Sequence, residues 1–120
     1  MLLYDAGGHA VVYCDDNEHL YAFNGVPVAY LEDDSVYAFH GEHLGWWDHG
    51  WIRDHEGACV FFTEDADSAG LKLPLRRAAP TRAAHQPIGQ RAYRLPKPPR
   101  AQNIAAWSLR SGPQFFPPRR

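Results

Sequence analysis

Hydrophobic residues in the first seventy positions of the chain recur in a fixed register with four glycines. Three residues after each glycine stands an aliphatic side chain, and five residues after it stands a large aromatic one. The glycines are Gly8, Gly25, Gly41 and Gly57, the aliphatic residues are Val11, Val28, Leu44 and Val60, and the aromatic residues are Tyr13, Tyr30, Trp46 and Phe62. This register predicts four copies of an internal repeat of about sixteen residues.

The four glycines are expected to lie in hairpin turns. Asn24 and Gly25 separate the apolar stretches LYAF and VPVAY. An Asn-Gly pair at such a place favours a type I′ turn, which requires a positive φ angle at both central residues. Gly7 and Gly8 fit the same turn, whereas the third and fourth repeats place histidine and glutamate before the glycine. The pattern therefore predicts four β-hairpins with two-residue loops.

Each predicted hairpin has two apolar faces. In the second repeat, the period-two alternation of a strand separates an aromatic face from a face of small and aliphatic side chains. The first face carries Tyr21, Phe23, Val26, Val28 and Tyr30, and the second carries Leu20, Ala22, Pro27, Ala29 and Leu31. A lone hairpin is marginally stable in water. We therefore expect an all-β fold in which the hairpins bury these faces on one another, either stacked in line or closed into a ring.

Charge and proline divide the chain into two unlike parts. All fourteen acidic residues lie within residues 1–70, which contain a single base, whereas eleven of the twelve bases and nine of the ten prolines lie within residues 71–120. The formal charge is therefore −13 (1 minus 14) for the first part and +11 for the second. We predict a four-hairpin β-repeat domain over residues 1–70 and an extended or disordered, basic, proline-rich tail over residues 71–120.

The acidic residues concentrate in the segments that follow the hairpins. The segments DDNEH, EDDS, DHGW and TEDADS contain ten of the fourteen acids. Equivalent loops would gather at one end of a four-fold arrangement and form a strongly negative rim. Such a rim could hold Ca²⁺, but no loop has the spacing of an EF-hand, and turns favour these residue types in any case. We therefore expect no bound calcium.

The predicted tail ends in an apolar segment. The sequence NIAAWSLRSGPQFF brings in Trp107, Phe115 and Phe116 after a stretch whose proline and arginine content favours extended chain. Burying one such ring contributes on the order of 2 kcal/mol. We expect these three side chains to anchor the tail, either on the head of the same molecule or on a neighbouring one.

The sequence predicts neither a membrane span nor a disulfide framework. No apolar run approaches the roughly 18 residues of a spanning helix, and the chain begins in strand-like sequence without a basic region followed by an apolar one. We expect Cys14 and Cys59 to be reduced and buried, with a bridge between the first and last repeats as the alternative. The expected location is the cytoplasm.

Two long stretches of the chain resemble the bacterial family of 4-fold beta flower proteins. These are YAFNGVPVAYLEDDSVYAF and HGEHLGWWDHGWIRDHEGACVFF, and the resemblance covers about residues 3–65. It rests on the glycine register and on the runs GVPVAY and HLGW. It implies four β-hairpins around a pseudo-four-fold axis, and it implies no activity and no catalytic residue. The fourth repeat departs from the second and third at Arg53 and His55, where those repeats have tyrosine and phenylalanine.

Histidines of the third and fourth repeats are the main candidates for chemistry. His40, His43, His49 and His55 lie within sixteen residues, close to aspartates, and these are the ligand types of zinc and iron sites. They occupy four different positions relative to the repeat glycines, so they cannot form a symmetric ring. We expect solvated turn and edge histidines with no metal or cofactor, and a single off-axis metal site is the alternative. No nucleophile-elbow sequence or phosphate-binding glycine loop occurs, so we expect no enzymatic activity.

Two functions are compatible with this composition. The first is a protein-binding adaptor or scaffold that contacts a protein partner, or a second copy of itself, through a patch of histidine and aromatic residues. The candidate patch consists of His43, Trp46, Trp47, Trp51, Trp107, Phe115 and Phe116. The alternative is a binder of nucleic acid or membrane phosphates that acts through the arginines of the tail. The acidic head would repel phosphate, so we favour the adaptor.

Overall fold

In a computed structural model, which describes residues 1–117, the repeat region consists of eight short strands. They are β1 (Leu2–Tyr4), β2 (Ala10–Tyr13), β3 (His19–Ala22), β4 (Pro27–Glu32), β5 (Ser35–Tyr37), β6 (His43–Asp48), β7 (Trp51–Arg53) and β8 (Cys59–Phe62). Within the described residues the one helical element is a 3₁₀ turn at Pro113–Phe115. The prediction of an all-β fold is confirmed.

The eight strands form a closed antiparallel barrel. Each strand pairs with the next along the chain, and β8 returns to β1 through the pair Tyr4 and Phe62. Closure leaves no free sheet edge, which matters for strands this short. The turns that contain the repeat glycines lie at one end of the barrel, which we call the turn end. The acidic segments lie at the other end, the connector end.

The predicted type I′ turn at Asn24 and Gly25 is wrong. The Gly25 amide donates to the Ala22 carbonyl oxygen at 2.9 Å, the Ala22 amide donates to the Val26 carbonyl oxygen at 2.9 Å, and only Gly25 has a positive φ, of 89°. This is a type I turn followed by a glycine bulge. In this turn only the glycine needs a positive φ. Histidine and glutamate are therefore tolerated before the glycine in the third and fourth repeats.

The barrel interior is lined by the face of small and aliphatic side chains. Each strand contributes one central inward position, and these are Leu3, Val12, Leu20, Ala29, Val36, Gly45, Ile52 and Phe61. Gly45 has no side chain to offer, and a Cβ atom there would collide with the carbonyl oxygen of Arg53. The interior is therefore incompletely filled by the strands themselves.

Residues 111–117, which we call the plug, complete this interior. Phe115 is 1% exposed, and its ring packs edge-on against Phe61 with 5.6 Å between centroids. Phe116 stacks on the same Phe61 ring at 5.6 Å and 9°. The Cζ atom of Phe115 lies 3.1 Å from the place that a Gly45 Cβ would occupy. The aromatic rings of the plug thus fill the volume that the glycine leaves open.

Residues 71–107, which we call the belt, run around the barrel and meet its four turns in chain order. Backbone amides of the belt donate to the carbonyl oxygens of the turn glycines: Arg77 to Gly8 at 2.8 Å, Gln86 to Gly25 at 2.9 Å, Leu95 to Gly41 at 2.9 Å and Ile104 to Gly57 at 3.1 Å. A Cβ atom on any of these glycines would collide with a belt carbonyl oxygen. Each glycine therefore permits both the turn and the close approach of the belt.

The division into domains at residue 70 stays a prediction. The belt has no helix and no strand, and it joins the sheet only through a parallel bridge between Cys59 and Trp107. Residues 118–120 of the predicted tail lie outside the described residues. Within residues 1–117, no helix has the length and apolar character needed to cross a membrane.

Substituting Gly25→Ala should destabilise the protein by roughly 1 to 3 kcal/mol, because alanine resists the positive φ and its Cβ displaces the belt carbonyl. Gly89→Ala is the matched control, since a Cβ at Gly89 meets no atom within 4 Å. It should change the unfolding free energy by less than about 0.5 kcal/mol. Urea denaturation measures both. Equal effects of the two substitutions would contradict the close approach.

Substituting Phe115→Ala should lower the free energy of unfolding by about 3 to 5 kcal/mol, because it empties the barrel interior beside Gly45. Leu109→Ala provides the control, since Leu109 is 98% exposed and lies just before the plug. Thermal and chemical denaturation of the two variants should separate them clearly. A Phe115→Ala protein as stable as the control would show that the plug does not pack in the barrel in solution.

Candidate interaction site

Four pairs of side chains lie on the outer face of the barrel, one pair at each junction between neighbouring hairpins. The pairs are Tyr13 with Tyr21, Tyr30 with Tyr37, Trp46 with Arg53, and Phe62 with Tyr4. We call this ring of pairs the track. All eight side chains are buried although they point away from the barrel interior. They are buried because the belt lies over them.

At three of the junctions an arginine of the belt lies over the first member of the pair. The guanidinium carbons of Arg82, Arg91 and Arg100 lie 3.9, 3.9 and 5.5 Å from the ring centroids of Tyr13, Tyr30 and Trp46. These arginines are nine residues apart. The position nine residues before Arg82 is Leu73, which packs with Phe62 and Tyr4 at the fourth junction. A cation over an aromatic ring contributes about 0.5 to 2 kcal/mol, depending on desolvation.

Three residues further along the belt, a second side chain covers the other member of each pair. His85 stacks on Tyr21 with 3.8 Å between centroids and 5° between planes, and it shares a hydrogen bond of 2.9 Å with the Tyr13 hydroxyl. Arg94 lies 5.7 Å from the Tyr37 ring, and Arg76 lies 5.8 Å from the Tyr4 ring. Two belt positions therefore recur at every junction with a period of nine.

At the junction of Trp46 and Arg53 the same two belt positions are used, but their side chains make different contacts. Arg53 donates to the carbonyl oxygens of Gly57 at 2.9 Å and Ile104 at 3.2 Å, so it ties the belt to the turn. The belt residue at this junction is Asn103, which donates to Asp48 at 2.9 Å. Arg53 and Arg100 already share the Asp48 carboxylate, at 3.5 and 3.0 Å, so an arginine in place of Asn103 would add a third guanidinium group beside it. The departure of the fourth repeat at Arg53 is therefore matched by a departure in the belt.

Six of the ten acids in the segments of the connector end are paired with bases of the belt, so the predicted negative rim is partly neutralised. The pairs are Arg82 with Asp15 at 2.7 Å, Arg91 with Glu18 at 3.1 Å, Arg100 with Asp48 at 3.0 Å, Lys97 with Asp34 at 3.4 Å, Arg76 with Glu64 at 3.4 Å, and Arg94 with Glu32. Burial would raise the pKa of Asp34, but the hydrogen bond and charge of Lys97 outweigh this effect, so that pKa is lowered. The belt therefore contacts both the acidic rim and the track.

Sequence reasoning missed this arrangement, although the chain carries a signal for it. The belt contains the consecutive nonapeptides RAAHQPIGQ, RAYRLPKPP and RAQNIAAWS, which cover residues 82–108. They share an initial Arg-Ala and a basic or amide side chain at the fourth position. Four-fold repetition in the barrel and a nine-residue period in the belt together indicate one belt segment for each junction.

The seven residues of the predicted patch fall into three separate surroundings. Trp51 and Trp107 pack together with Phe62, at 5.6 Å and 6.0 Å between the ring centroids of Trp107 and its two neighbours. The plug residues Phe115 and Phe116 lie in the barrel interior, against which Trp47 packs half-buried. Trp46 belongs to the track, and His43 packs beside it with 4.4 Å between their ring centroids. The role of these residues in binding stays a prediction.

His43 is buried, which corrects the expectation of a solvated histidine. It is 3% exposed, and its ring nitrogens lie 2.9 Å from His55 Nε2 and 3.1 Å from the Ser35 hydroxyl. Burial lowers the pKa of His43 to about 4, and the charges of His55 and Lys97 act in the same direction. His43 is therefore neutral near pH 7 and serves as a packed hydrogen-bonding residue.

The two cysteines are unpaired and buried. Cys14 belongs to the cluster that fills the barrel interior, and Cys59 lies on the outer side with Trp51 and Phe62. Burial raises the pKa of both thiols. In residues 1–117, no group of three or more His, Cys, Asp or Glu side chains is arranged to hold a metal ion.

A groove opens at the turn end between the second and third hairpins, with a volume of about 710 Å³. Pro27, Val28 and Phe39 line it from the barrel, and the other side is lined by Gly89, Gln90 and Ala92 of the belt and Pro117 of the plug. Its polar groups are His40, Glu42 and Gln90. Next to Ala92 along the belt stands Tyr93, whose side chain is 98% exposed. The groove is therefore a partly apolar cleft beside an exposed tyrosine.

Comparison with known proteins agrees with the resemblance seen in the sequence. A model of the 4-fold beta flower protein family matches residues 1–116. The match confirms the suspected family and extends beyond residues 3–65, through the belt and into the plug. No curated protein and no solved structure matches the chain.

The burial of His43 should make stability depend on pH between about 6.5 and 4. In this window an unfolded chain binds a proton at His43 that the folded chain does not bind. The free energy of unfolding should therefore fall as pH decreases, by at most about 3 kcal/mol, and this contribution should level off below pH 4. His43→Gln should remove it, whereas His40→Gln should retain it. Urea titrations at several pH values measure the difference, and parallel pH curves for wild type and His43→Gln would contradict the assignment.

Proposed function

Since the chain belongs to the 4-fold beta flower protein family, whose match includes both barrel and belt, we propose that it is a non-enzymatic protein-binding adaptor or scaffold. In this proposal the four hairpins form a pseudo-four-fold support that holds the belt in a fixed shape. The partner contacts the outer side of the belt near the groove between the second and third hairpins. The expected cytoplasmic location belongs to the same proposal, and the unpaired cysteines support it.

The observation that carries the proposal is an exposed tyrosine on a firmly held backbone. The amide of Ala92 donates to Phe39 at 2.7 Å and the amide of Leu95 donates to Gly41 at 2.9 Å, so hydrogen bonds flank Tyr93 on both sides. Its side chain is nevertheless 98% exposed. Tyrosine is common among the residues that dominate interface energies, and a fixed backbone reduces the entropy lost on binding.

The charge arrangement favours this proposal over the anionic-polymer binder. Six bases of the belt are engaged with acids of the connector end. Contact with a phosphate backbone would have to break several of these pairs and would bring phosphate close to carboxylates.

The surroundings of Ser35 support a protein without enzymatic activity. Its hydroxyl is fully buried between Asp34 and His43, so a substrate cannot reach it.

A photo-crosslinking experiment in cells tests the proposed contact. A photoreactive phenylalanine analogue at position 93 should yield a discrete adduct. The same analogue at position 75 is the matched control, because Leu75 is 91% exposed and occupies the equivalent place in the belt, two nonapeptides earlier and away from the groove. We expect the adduct from position 93 alone. Equal adducts from both positions, or none from position 93, would contradict the proposed surface.

Binding to duplex DNA tests the alternative function. The adaptor proposal predicts no measurable binding of the full chain to arbitrary duplex DNA at 0.15 M salt. A polymer binder would instead bind, and its affinity would fall steeply as salt is raised. A fluorescence anisotropy titration at several salt concentrations distinguishes these outcomes.

A further inference from the structure

We propose that the track beneath the belt is a peptide-binding site. Its ligand is an extended segment of another protein that carries arginine, alanine, any residue and a second arginine in sequence. In the free protein the belt occupies this site as an internal ligand. The inference concerns the face that the belt covers. A segment bound on the track would displace the backbone that holds Tyr93, so this contact and the one proposed at Tyr93 exclude each other.

The recognition of such a segment is built from four kinds of contact that act together. The second junction shows them most completely, with Arg91 over the Tyr30 ring at 3.9 Å and paired with Glu18 at 3.1 Å. Three residues later, Arg94 lies over Tyr37 and pairs with Glu32. The backbone of the segment donates to the carbonyl oxygens of Phe39 and Gly41. The segment backbone also passes so close to Gly41 that a Cβ atom at this turn position would collide with the Tyr93 carbonyl oxygen.

The other three junctions of the barrel make related contacts with belt segments of different sequence. The barrel therefore recognises a pattern of residues and not one sequence. Each nonapeptide of the belt presents a different set of side chains between the shared positions. The contacts with ring, acid and turn glycine are nevertheless repeated at intervals of nine residues. A segment from another protein needs only the shared positions to make the same contacts.

The nonapeptide RAYRLPKPP, residues 91–99, is the part of the belt best placed to leave the track. Its ion pairs join side chains that are about a third to a half exposed, and pairs of this kind are individually weak and sensitive to salt. Gly89 and Gln90, just before it, line the groove. On its N-terminal side the belt is held by the Gln86 amide, which donates to the Gly25 carbonyl oxygen, and on its C-terminal side by the bridge at Trp107 and by the plug. Both flanks of this segment are therefore anchored independently of its own ion pairs.

The test uses the full chain with Arg91→Ala and Arg94→Ala, which weakens the internal ligand at one junction. A fluorescent peptide of sequence RAYRLPKPP should bind this variant saturably. It should bind the wild-type chain at least about tenfold more weakly, because the attached belt competes at high effective concentration. A peptide with both arginines replaced by glutamine should not bind. Lys72→Ala, which removes a base of the belt far from this junction, should leave the wild-type behaviour unchanged.

Absence of binding to the double variant, or equal binding of the glutamine peptide, would overturn the proposal. Because the double variant could fail to fold, hydrogen exchange on the wild-type chain provides a second measurement. Excess RAYRLPKPP should accelerate exchange of the Ala92 and Leu95 amides, which donate to the third turn. The Ile104 amide at the fourth turn should keep its protection. Unchanged exchange at Ala92 and Leu95 would contradict the proposal independently of the variant.

Discussion

The structure depends on the close contact between the belt backbone and the four turn glycines. Each glycine adopts a positive φ that closes a tight hairpin, and it accepts a hydrogen bond from a belt amide at 2.8 to 3.1 Å. The contact requires that no Cβ atom stand between the two backbones. One residue type thereby sets the hairpin geometry and the path of the belt. The nine-residue period of the belt follows, since each belt step must reach the next turn.

The barrel alone is too small to bury enough apolar surface for stability, and the belt and the plug supply the missing burial. A domain of about 60 residues buries only about 60% of its unfolded surface, and strands of three to six residues leave their outer aromatic face uncovered. The belt covers this outer face, and Phe115 and Phe116 fill the interior beside Gly45. Both apolar faces of the hairpins are then buried. The family match through residue 116 agrees with barrel, belt and plug forming one unit of sequence.

The separation of charge along the chain has a structural reason. The acidic barrel and the basic belt carry −13 and +11 formal charges, counting every residue of the two parts, and their pairing holds the belt on the outside of the barrel. Each exposed pair contributes only roughly 0 to 1 kcal/mol, so the pairs act through their repetition. Pairing uses the side of the belt that faces the barrel and leaves Tyr93 exposed on the other side, next to the groove. For this reason the proposed protein contact is at Tyr93.

The sequence by itself determined the all-β fold and the family, because these depend on short-range spacing of glycine, aromatic and aliphatic residues. The sequence also contained the nonapeptides of the belt. Only the structure showed that belt residues nine positions apart contact successive junctions of the barrel. The turn type, the burial of His43 and the position of Phe115 in the barrel came only from the tertiary structure. Each depends on partners distant in the chain: Gly25 on Ala84, His43 on His55, and Phe115 on Gly45. Local sequence patterns cannot reveal such contacts, because closure of the barrel is what brings the partners together.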